Sequence, residues 1–530
     1  MKKIVLFTAL LAILTGNAWA FTGYQAPMVN GIGLFIIYDN SVTGETTNLD
    51  NDGVINMANT LLNEEGPGAY GWNFVYIPFI YKNGSGQDVI ALFTVDSNRN
   101  LGQLQSVTVP LPSTYPPAAC TDGGVLNGKQ ICTLSGNISN SVRLTSDKYW
   151  ELRGKLTVAS GVVLEVEAGT TVFGNKFDGT LRDYLVVDRG GKIKAIGTKN
   201  APIVFTGRQA LEGTDTVSSG QWGGVIMAGY APTNQGGEAQ FEADPDIYYG
   251  GNSPADNSGT LKYVIIRNGG AEIAPNEEIN GLTLCGVGSG TSIDYVEIYN
   301  NLDDGIEFFG GTVNVKHAVL IGNEDDNLDT DQGYNGKIQY AYIRQTYISS
   351  KDPRGIEADN QHANNDAQPR SNPMVANLTI DNNVPADASI QPHEAIMLRR
   401  GTDYHIMNAV VTGNPRPDNC IEVRNDSTWT AISNTSDTVP TFAGVALGNV
   451  CENGYFGVKD NTTYTDTDLA NLFNGTGSYS AISFNNFTNS LTTTPVNPAT
   501  YDSFFDAATF IGAYAQENDW RQGWAVGLND

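Results

Sequence analysis

The sequence is poor in basic residues. It holds 30 Lys and Arg residues against 57 Asp and Glu residues, and its formal net charge is -27. Such a surface repels phosphate backbones, which excludes nucleic-acid binding as a general role, and it attracts divalent cations. Charged residues make up only 16 % of the 530 residues and hydrophobic residues make up 40 %. We therefore expect a folded core and not a disordered acidic polymer.

Long hydrophobic runs are missing after the first twenty residues. Residues 1–20 have the form of a secretory signal peptide, with two lysines, an apolar run from Ile4 to Leu14 and an Ala18-Trp-Ala20 cleavage site. No later stretch reaches the roughly 18 apolar residues of a spanning helix. The sequence predicts an exported protein that is secreted, held at the cell surface or retained in the periplasm, with no membrane span.

Cysteine is scarce. Five cysteines leave one thiol unpaired, and export makes disulfides permissible. Cys120 and Cys132 bracket a glycine-rich turn and are predicted to form one disulfide, and Cys420 and Cys451 are predicted to form a second. Cys285 lies in a strand-like apolar run, where a buried free thiol is expected.

The common catalytic motifs are absent as well. The chain has no Gly-x-Ser-x-Gly, no P-loop and no Gly-x-Gly-x-x-Gly opening a helix, which excludes triad hydrolases and nucleotide-binding or dinucleotide-binding enzymes. Its four histidines lack the spacing of zinc ligands. The 59 glycines and 24 tyrosines favour turns and strands over long helices. The fold class predicted from composition is all-β.

A repeat of 22 residues is the clearest positive signal. Asn301-Leu-Asp-Asp-Gly-Ile-Glu307 returns as Asn323-Glu-Asp-Asp-Asn-Leu-Asp329, and the strand-like segment Ile293–Ile298 returns as Val315–Leu320 at the same interval. The segments alternate aliphatic and polar residues, and the period matches one coil of a parallel β-helix, in which stacked coils bury a shared core. Inward aliphatic residues of successive coils are expected to lie on one another.

After the signal peptide, residues 1–20, the chain divides into three parts. Residues 21–115 form hydrophobic β-like runs, such as Gly33–Tyr38 and Phe74–Tyr81, and are predicted to be a small N-terminal β domain. The parallel β-helix is predicted over residues 116–451. Residues 452–530 lose the repeat but are rich in Phe and Trp, and we expect a C-terminal cap and tail that packs over the end of the solenoid.

Several motifs in the repeat region are specific enough to compare with a family. They are Pro202-Ile-Val-Phe-Thr206, Gln221-Trp-Gly-Gly-Val225, Asp303-Asp-Gly-Ile-Glu-Phe-Phe-Gly-Gly-Thr312 and Leu398-Arg-Arg-Gly-Thr402. With them the chain resembles a group of secreted bacterial proteins of the pectin-lyase-like superfamily. The resemblance implies a right-handed parallel β-helix and an extracellular setting. It implies no particular activity, because the group has none generally established and fold does not determine function.

Acidic residues are concentrated in the repeat. Ten acids and one base, Lys316, lie between Asp294 and Asp331. Stacked coils would place like charges about 4.8 Å apart, where they repel unless a cation or a proton is bound. Ca2+ accepts six to eight oxygen ligands in flexible geometry and is the predicted cofactor. The alternative is a solvated column of turns. The predicted metal ligands are Asp303, Asp304, Glu307, Asp325, Asp326, Asp329 and Asp331.

A second possible metal site lies in the N-terminal part. Asn48, Asp50 and Asp52, followed by a glycine, have the spacing of the first ligands of an EF-hand loop. Asn59 occupies the last position, where a bidentate acid is expected. An ordinary polar turn is the alternative.

An arginine-rich region follows the acidic repeat. Arg354, Glu357, Arg399 and Arg400 are predicted to contact a ligand, with Arg354 as the base that a polysaccharide lyase would need. The alternative for Arg354 is a structural ion pair with Glu357. The motifs that accompany the catalytic acids of polygalacturonases, His-Gly and Arg-Ile-Lys, are absent.

The function predicted from the sequence is an exported, Ca2+-stabilised binding or adhesion module whose partner is an extracellular polysaccharide or another cell-surface component. A lyase or glycoside hydrolase that acts on anionic glycans is one alternative. A structural envelope protein is another. The sequence assigns no catalytic residue and no oligomeric state.

Overall fold

The computed structural model describes two sets of residues. Among the first 114 residues it describes 21–25, 35–39, 75–82, 88–95 and 105–108. From residue 115 to residue 529 the structure describes the chain apart from 176–181, 274–277, 347–352, 384–392, 414–417, 435, 449–450, 452, 461–462, 476–480, 483–492, 509 and 516. The chain divides into two compact units, Met1–Thr114 and Tyr115–Asp530.

The first unit contains a five-stranded sheet. Phe35–Asp39 and Val75–Lys82 pair in parallel, and the remaining neighbours pair antiparallel. Both strands lie in hydrophobic runs that the sequence predicted as strands. The loop with Asn48, Asp50 and Asp52 lies outside the described residues. The five strands are Phe21–Gln25, Phe35–Asp39, Val75–Lys82, Asp88–Val95 and Gln105–Thr108.

The second unit is a parallel β-helix, which confirms the fold predicted from the repeat. Each coil passes through three parallel sheets, called here the first, second and third faces. Long strands run through the first face, bend, and continue in the second. These are Gly259–Arg267, Ser292–Tyr299, Asn314–Ile321, Lys337–Gln345, Met374–Asn382 and His405–Gly413. Shorter strands are Val142–Leu144, Val163–Val166, Lys192–Ile196 and Phe442–Ala443 in the first face, and Thr171–Gly174, Ile203–Gly207, Ala446–Gly448 and Ala481–Ile482 in the second.

The third face carries the residues of functional interest. Its side chains alternate between the core and the outside, as the pleat of a strand requires. Ile306, Leu328 and Ile356 lie in register and are fully buried, which confirms the predicted aliphatic stack. The third face begins with the ends of Lys129–Ile138 and Tyr149–Val158 and continues with Tyr184–Val187, Val225–Ala228, Leu282–Cys285, Ile306–Phe309, Leu328–Asp331, Ile356–Ala358, Ile396–Leu398, Ile421–Arg424 and Phe456–Lys459.

The bends between the first and second faces carry a stack of aromatic rings. Tyr263, Tyr295, His317 and Tyr340 each have a positive φ, from 49° to 62°, and the same position in the next two coils is Asn. A positive φ is unusual for a residue with a side chain. The four rings stack with centroids 4.4, 4.2 and 4.8 Å apart. Stacking between coils therefore accompanies the strained bend.

The first coil of the second unit begins with a hairpin and a disulfide. Thr121–Leu126 and Lys129–Ile138 pair antiparallel, and Lys129–Ile138 then pairs in parallel with Tyr149–Val158. The disulfide Cys120–Cys132 lies here, and Cys420–Cys451 lies near the other end, as predicted. Cys285 is a buried free thiol, also as predicted, and burial raises its pKa well above the usual range.

Helices are few in the described residues. Leu469 and Phe473, from the third α-helix, are fully buried and join the core at the last coils, where the ring of Phe473 lies 4.9 Å from that of Phe442. Among the described residues, no helix has the length and the apolar character that crossing a membrane requires. The α-helices are Arg208–Glu212, Asp426–Ile432 and Asp466–Gly475, and the 3-10 helices are Pro498–Thr500 and Gly527–Asn529.

Residues 493–529, the terminal segment, pack along the side of the solenoid. The amide of Asn408 exchanges two hydrogen bonds of 2.8 Å with the backbone of Val496, and the Asn377 amide donates to the Phe510 carbonyl. At an earlier coil of the solenoid, the ring of Trp524 packs edge-on against Tyr263. The expectation that the final aromatic residues cover the end is wrong for this segment, because it binds to the polar bend positions and the aromatic stack.

Candidate functional site

The site lies on the outer side of the third face, where acids repeat in register. Glu307 pairs in register with Asp329, and Asp329 pairs with Glu357. The buried aliphatic residue before each of them faces the core, so the acids point outward. The short strand and its alternation are therefore what place three carboxylates in one column.

A second column precedes these strands by two residues. Asp304, Asp326, Arg354 and Glu394 hold the same position in successive coils, because the strands that follow them are in register. One oxygen of Asp304 accepts a hydrogen bond of 2.9 Å from the Asp326 amide, and one oxygen of Asp326 accepts a bond of 2.8 Å from the Arg354 amide. Asp304 and Asp326 thus each use one oxygen to bind the backbone of the next coil.

The seven acids predicted as metal ligands form what is called here the acidic column: Asp303, Asp304, Glu307, Asp325, Asp326, Asp329 and Asp331. The structure brings five of them into two adjoining trios, and Asp326 and Asp331 belong to neither trio. Carboxylate oxygens of Asp303, Asp304 and Asp325 lie within 4.8 Å of one another, and so do those of Asp304, Glu307 and Asp329. Asp304 belongs to both trios, and three oxygens at this spacing can coordinate one cation.

The acidic column is largely buried. Asp304, Asp326 and Glu307 are no more than 8 % exposed, and the Asn280 amide donates a hydrogen bond of 2.5 Å to Glu307. The Oδ1 atom of Asp329 is buried and has no hydrogen-bond partner in the described structure. A buried carboxylate oxygen without a partner is costly, and a bound cation would satisfy it.

Burial and like charge act together on these acids. Burial raises the pKa of Asp304 well above its usual range, and four further carboxylates raise it more. The pKa values of Glu307, Asp326 and Asp329 are raised in the same direction, chiefly by burial. Burial also raises the pKa of Asp331 to about 6. The folded column therefore favours bound protons or a bound cation over free negative charge.

The asparagines beside the acids have a structural role. The Asn301 amide donates to the Asp304 carbonyl at 2.9 Å, and the Asn323 amide donates to the Asn327 side-chain oxygen at 2.9 Å. These bonds fix the turn that precedes each strand.

The arginines predicted as ligand contacts are held in ion pairs. Arg354 is 3 % exposed, and its guanidinium lies 2.9 Å from Glu357, 3.2 Å from Glu394 and 3.7 Å from Asp326. The ion pair with Glu357, the alternative considered for Arg354, is the arrangement found. Its burial leaves little access for a polysaccharide.

Arg399 and Arg400 lie in the next coil and share one acid. Arg399 pairs with Glu357 and, at 2.8 Å, with Asp359, and Arg400 pairs with Asp359 at 2.6 Å. Burial and the neighbouring Arg400 lower the pKa of Arg399 to about 10. Burial and the charge of Asp331 raise the pKa of Asp359 to about 7. Unlike Arg354, both arginines are partly exposed.

A third trio of acids differs from the first two because a lysine binds it. Glu394, Asp418 and Glu422 have oxygens within 4.8 Å of one another. The Lys459 ammonium lies 2.6 Å from Glu422, 3.3 Å from Glu394 and 3.6 Å from Asp418. Burial favours the neutral form of Glu394, yet hydrogen bonding with Glu422 and nearby positive charges hold its pKa at about 2. Arg354 and Arg424 pair with acids of the same trio, so basic residues of the chain supply its counter-charges.

Further charged residues of this face were not predicted from the sequence: Asp359, Glu394, Glu422, Arg424 and Lys459. One signal could have identified Glu422. The segments Ile306-Glu307, Ile356-Glu357 and Ile421-Glu422 have the same form, so stacking their aliphatic residues also aligns their acids. Lys459 has no such signal, because it comes from a strand outside the visible repeat.

A comparison with protein families gives one match. The model of a family described as pectate-lyase like beta helix domain matches residues 136–525, well over half of the chain. The comparisons with curated proteins and with solved structures give no match. The matched range contains the acidic column, the ion pairs and most of the terminal segment.

Proposed function

Since the chain belongs to the pectate-lyase-like β-helix family, we propose that it is an exported module that binds extracellular polysaccharide and is stabilised by Ca2+ in its acidic column. Family membership supports a polysaccharide-related extracellular role. The two disulfides are consistent with an oxidising compartment outside the cytosol.

The observation that carries the Ca2+ proposal is the shared position of Asp304 in two carboxylate trios. Asp303 and Asp325 would complete one site, and Glu307 and Asp329 the other. Hard oxygen ligands without His or Cys suit Ca2+ better than zinc. The chemistry supplied by the ion is neutralisation of like charges between neighbouring coils.

Burial of the candidate catalytic acids and of Arg354 favours binding over catalysis. A lyase needs a base that reaches the substrate, and Arg354 is buried among three carboxylates. A hydrolase needs an accessible acid and base, and Asp304, Glu307 and Asp326 are mostly buried. Arg399 and Arg400 lie at the same face; they are paired with Glu357 and Asp359 but remain partly exposed, so a ligand could still reach them.

Binding and turnover can be separated by one set of assays. We expect wild-type protein to bind members of a glycan array, with no release of reducing ends and no rise of absorbance near 235 nm on anionic glycans. The variant Asp326→Asn serves as the comparison. Turnover that the variant loses would establish the enzymatic alternative, and absence of both binding and turnover would favour a structural envelope role.

A further inference from the structure

A cleft separate from the acidic column opens on the first coils of the third face. Its volume is about 320 Å3, near the lower end of small-ligand sites, which range over about 300–1,000 Å3. Asn137, Thr157 and Val186 lie in register in three successive coils and form one wall. Ile247 and Asp246 form the opposite wall. The cleft has room for a short stretch of glycan.

The opposite wall comes from an insertion, residues 229–258, between two coils. Its apolar residues Phe241 and Ile247 pack with Val186 and Ile226 and so cover the third face beyond the cleft. The coils with Asn137 and Thr157 precede the coils that the insertion covers, and both residues are at least partly exposed. Because strand positions are about 4.8 Å apart, Val186 lies about 14 Å from Glu307, three positions further along.

Polar contacts hold the insertion against the coils. The Lys155 ammonium lies 2.6 Å from the Asp244 carboxylate, and the Tyr184 hydroxyl donates to the same carboxylate at 2.7 Å. The other oxygen of Asp244 accepts a hydrogen bond from the Asp246 amide, and the Asp244 carbonyl accepts one from Ile247. The cleft is therefore formed before any ligand binds, which lowers the entropic cost of binding.

The charges that line the cleft restrict its ligand. Asp188 and Asp246 each contribute a carboxylate, and the lining ammonium of Lys155 is already paired with Asp244. The excess of negative charge repels uronates and other anionic sugars. Carboxylate, amide and hydroxyl groups are, however, good hydrogen-bond partners for sugar hydroxyls, and bonds to a charged acceptor are the stronger ones.

We propose that this cleft binds an uncharged hexose unit of a polysaccharide, with Asp188 and Asp246 accepting hydrogen bonds from its hydroxyl groups. The proposal rests on the polysaccharide-binding role proposed above. It narrows that role to neutral glycans and places recognition in a site that needs no metal ion.

The test uses neutral tetrasaccharides of glucose, mannose and galactose, together with a tetragalacturonate, on the full chain in the presence of EDTA. Saturation-transfer NMR and calorimetry measure binding. We expect at least one neutral tetrasaccharide to bind and the tetragalacturonate not to bind. The variant Thr157→Trp fills the cleft from a partly exposed position, and it should weaken binding at least about tenfold.

Two further variants act as controls. Asp246→Asn keeps the size of the side chain, and we expect it to weaken binding of the neutral sugar and to reduce the discrimination against tetragalacturonate. Asp437→Asn changes an exposed acid that does not line the cleft and should leave binding unchanged. Circular dichroism verifies that each variant is folded.

Three outcomes would overturn the proposal: no neutral tetrasaccharide binds, tetragalacturonate binds as tightly as the neutral sugars, or Thr157→Trp binds like wild type. If any one of these occurs while Ca2+-dependent binding of other glycans persists, sugar binding in the cleft is refuted and the general binding role stands. If wild type binds no glycan with or without Ca2+, both proposals fail.

Discussion

Replacement of Arg354 by alanine is expected to lower the free energy of unfolding of the β-helix unit by about 3–5 kcal/mol, the range for removing one partner of a buried ion pair. Arg354 is 3 % exposed and contacts Asp326, Glu357 and Glu394. Without the guanidinium, three carboxylates remain close together inside the protein. Urea unfolding of wild type and variant, followed by circular dichroism at a fixed Ca2+ concentration, measures the loss.

An exposed ion pair supplies the matched control. Lys148 lies 2.9 Å from Asp147, whose side chain is 68 % exposed. The variant Lys148→Ala should lose no more than about 1 kcal/mol, because solvent screens such a pair. Equal losses in Lys148→Ala and Arg354→Ala would show that Arg354 does not neutralise the buried acids.

Replacement of Glu297 by alanine is expected to release the end of the terminal segment. The Glu297 side chain is fully buried and accepts hydrogen bonds from the amides of Val526, at 2.8 Å, and Gly527, at 2.9 Å. Its loss leaves both amides without an acceptor, at a cost of about 2–4 kcal/mol. Amide hydrogen exchange at Val526 and Gly527 should accelerate far more than exchange in the core strands.

The conservative variant separates hydrogen bonding from packing. Glu297→Gln keeps the volume and one acceptor oxygen, so its loss of protection should lie between those of wild type and Glu297→Ala. If Glu297→Ala left exchange at Val526 and Gly527 unchanged, the end of the segment would not depend on the Glu297 carboxylate. In that case the ring of Trp524 against Tyr263 would be the main anchor.

The stacking of the coils could be predicted because it depends on local alternation. The 22-residue interval aligned Ile306 with Leu328 and Glu307 with Asp329, and the structure has both pairs in register. The interval then changes to 28 residues between Leu328 and Ile356 and to 40 between Ile356 and Ile396. Insertions between coils lengthen these intervals, so the repeat is hidden in the sequence although the stack continues.

Contacts between distant residues could not be predicted. Glu297 and Gly527 are 230 residues apart, and no repeat or motif links them. The same holds for Lys155 and Asp244, because the path of an insertion depends on packing and not on local propensity. Arg354 illustrates an intermediate case, since an ion pair with the nearby Glu357 was foreseen while the contact with Glu394 was not.

The metal role of the acidic column remains a prediction, and Asp304 is the residue that tests it. Asp304→Asn removes the carboxylate shared by the two trios while keeping an oxygen that can accept from the Asp326 amide. Asp418→Asn is the matched control, because its trio is already paired with Lys459. Protons compete with Ca2+ for carboxylates, so Ca2+ affinity is expected to fall from about pH 8 to about pH 5.

Calorimetric titration of Ca2+ into chelator-treated protein, paired with thermal unfolding, is the most direct test of Ca2+ binding by the acidic column. We predict saturable binding to wild type and to Asp418→Asn, with a stabilisation of about 2.7 kcal/mol at a free Ca2+ concentration 100 times the Kd. We predict binding at least about tenfold weaker in Asp304→Asn. No heat and no rise of the Tm in wild type, or equal affinity in Asp304→Asn, would contradict it.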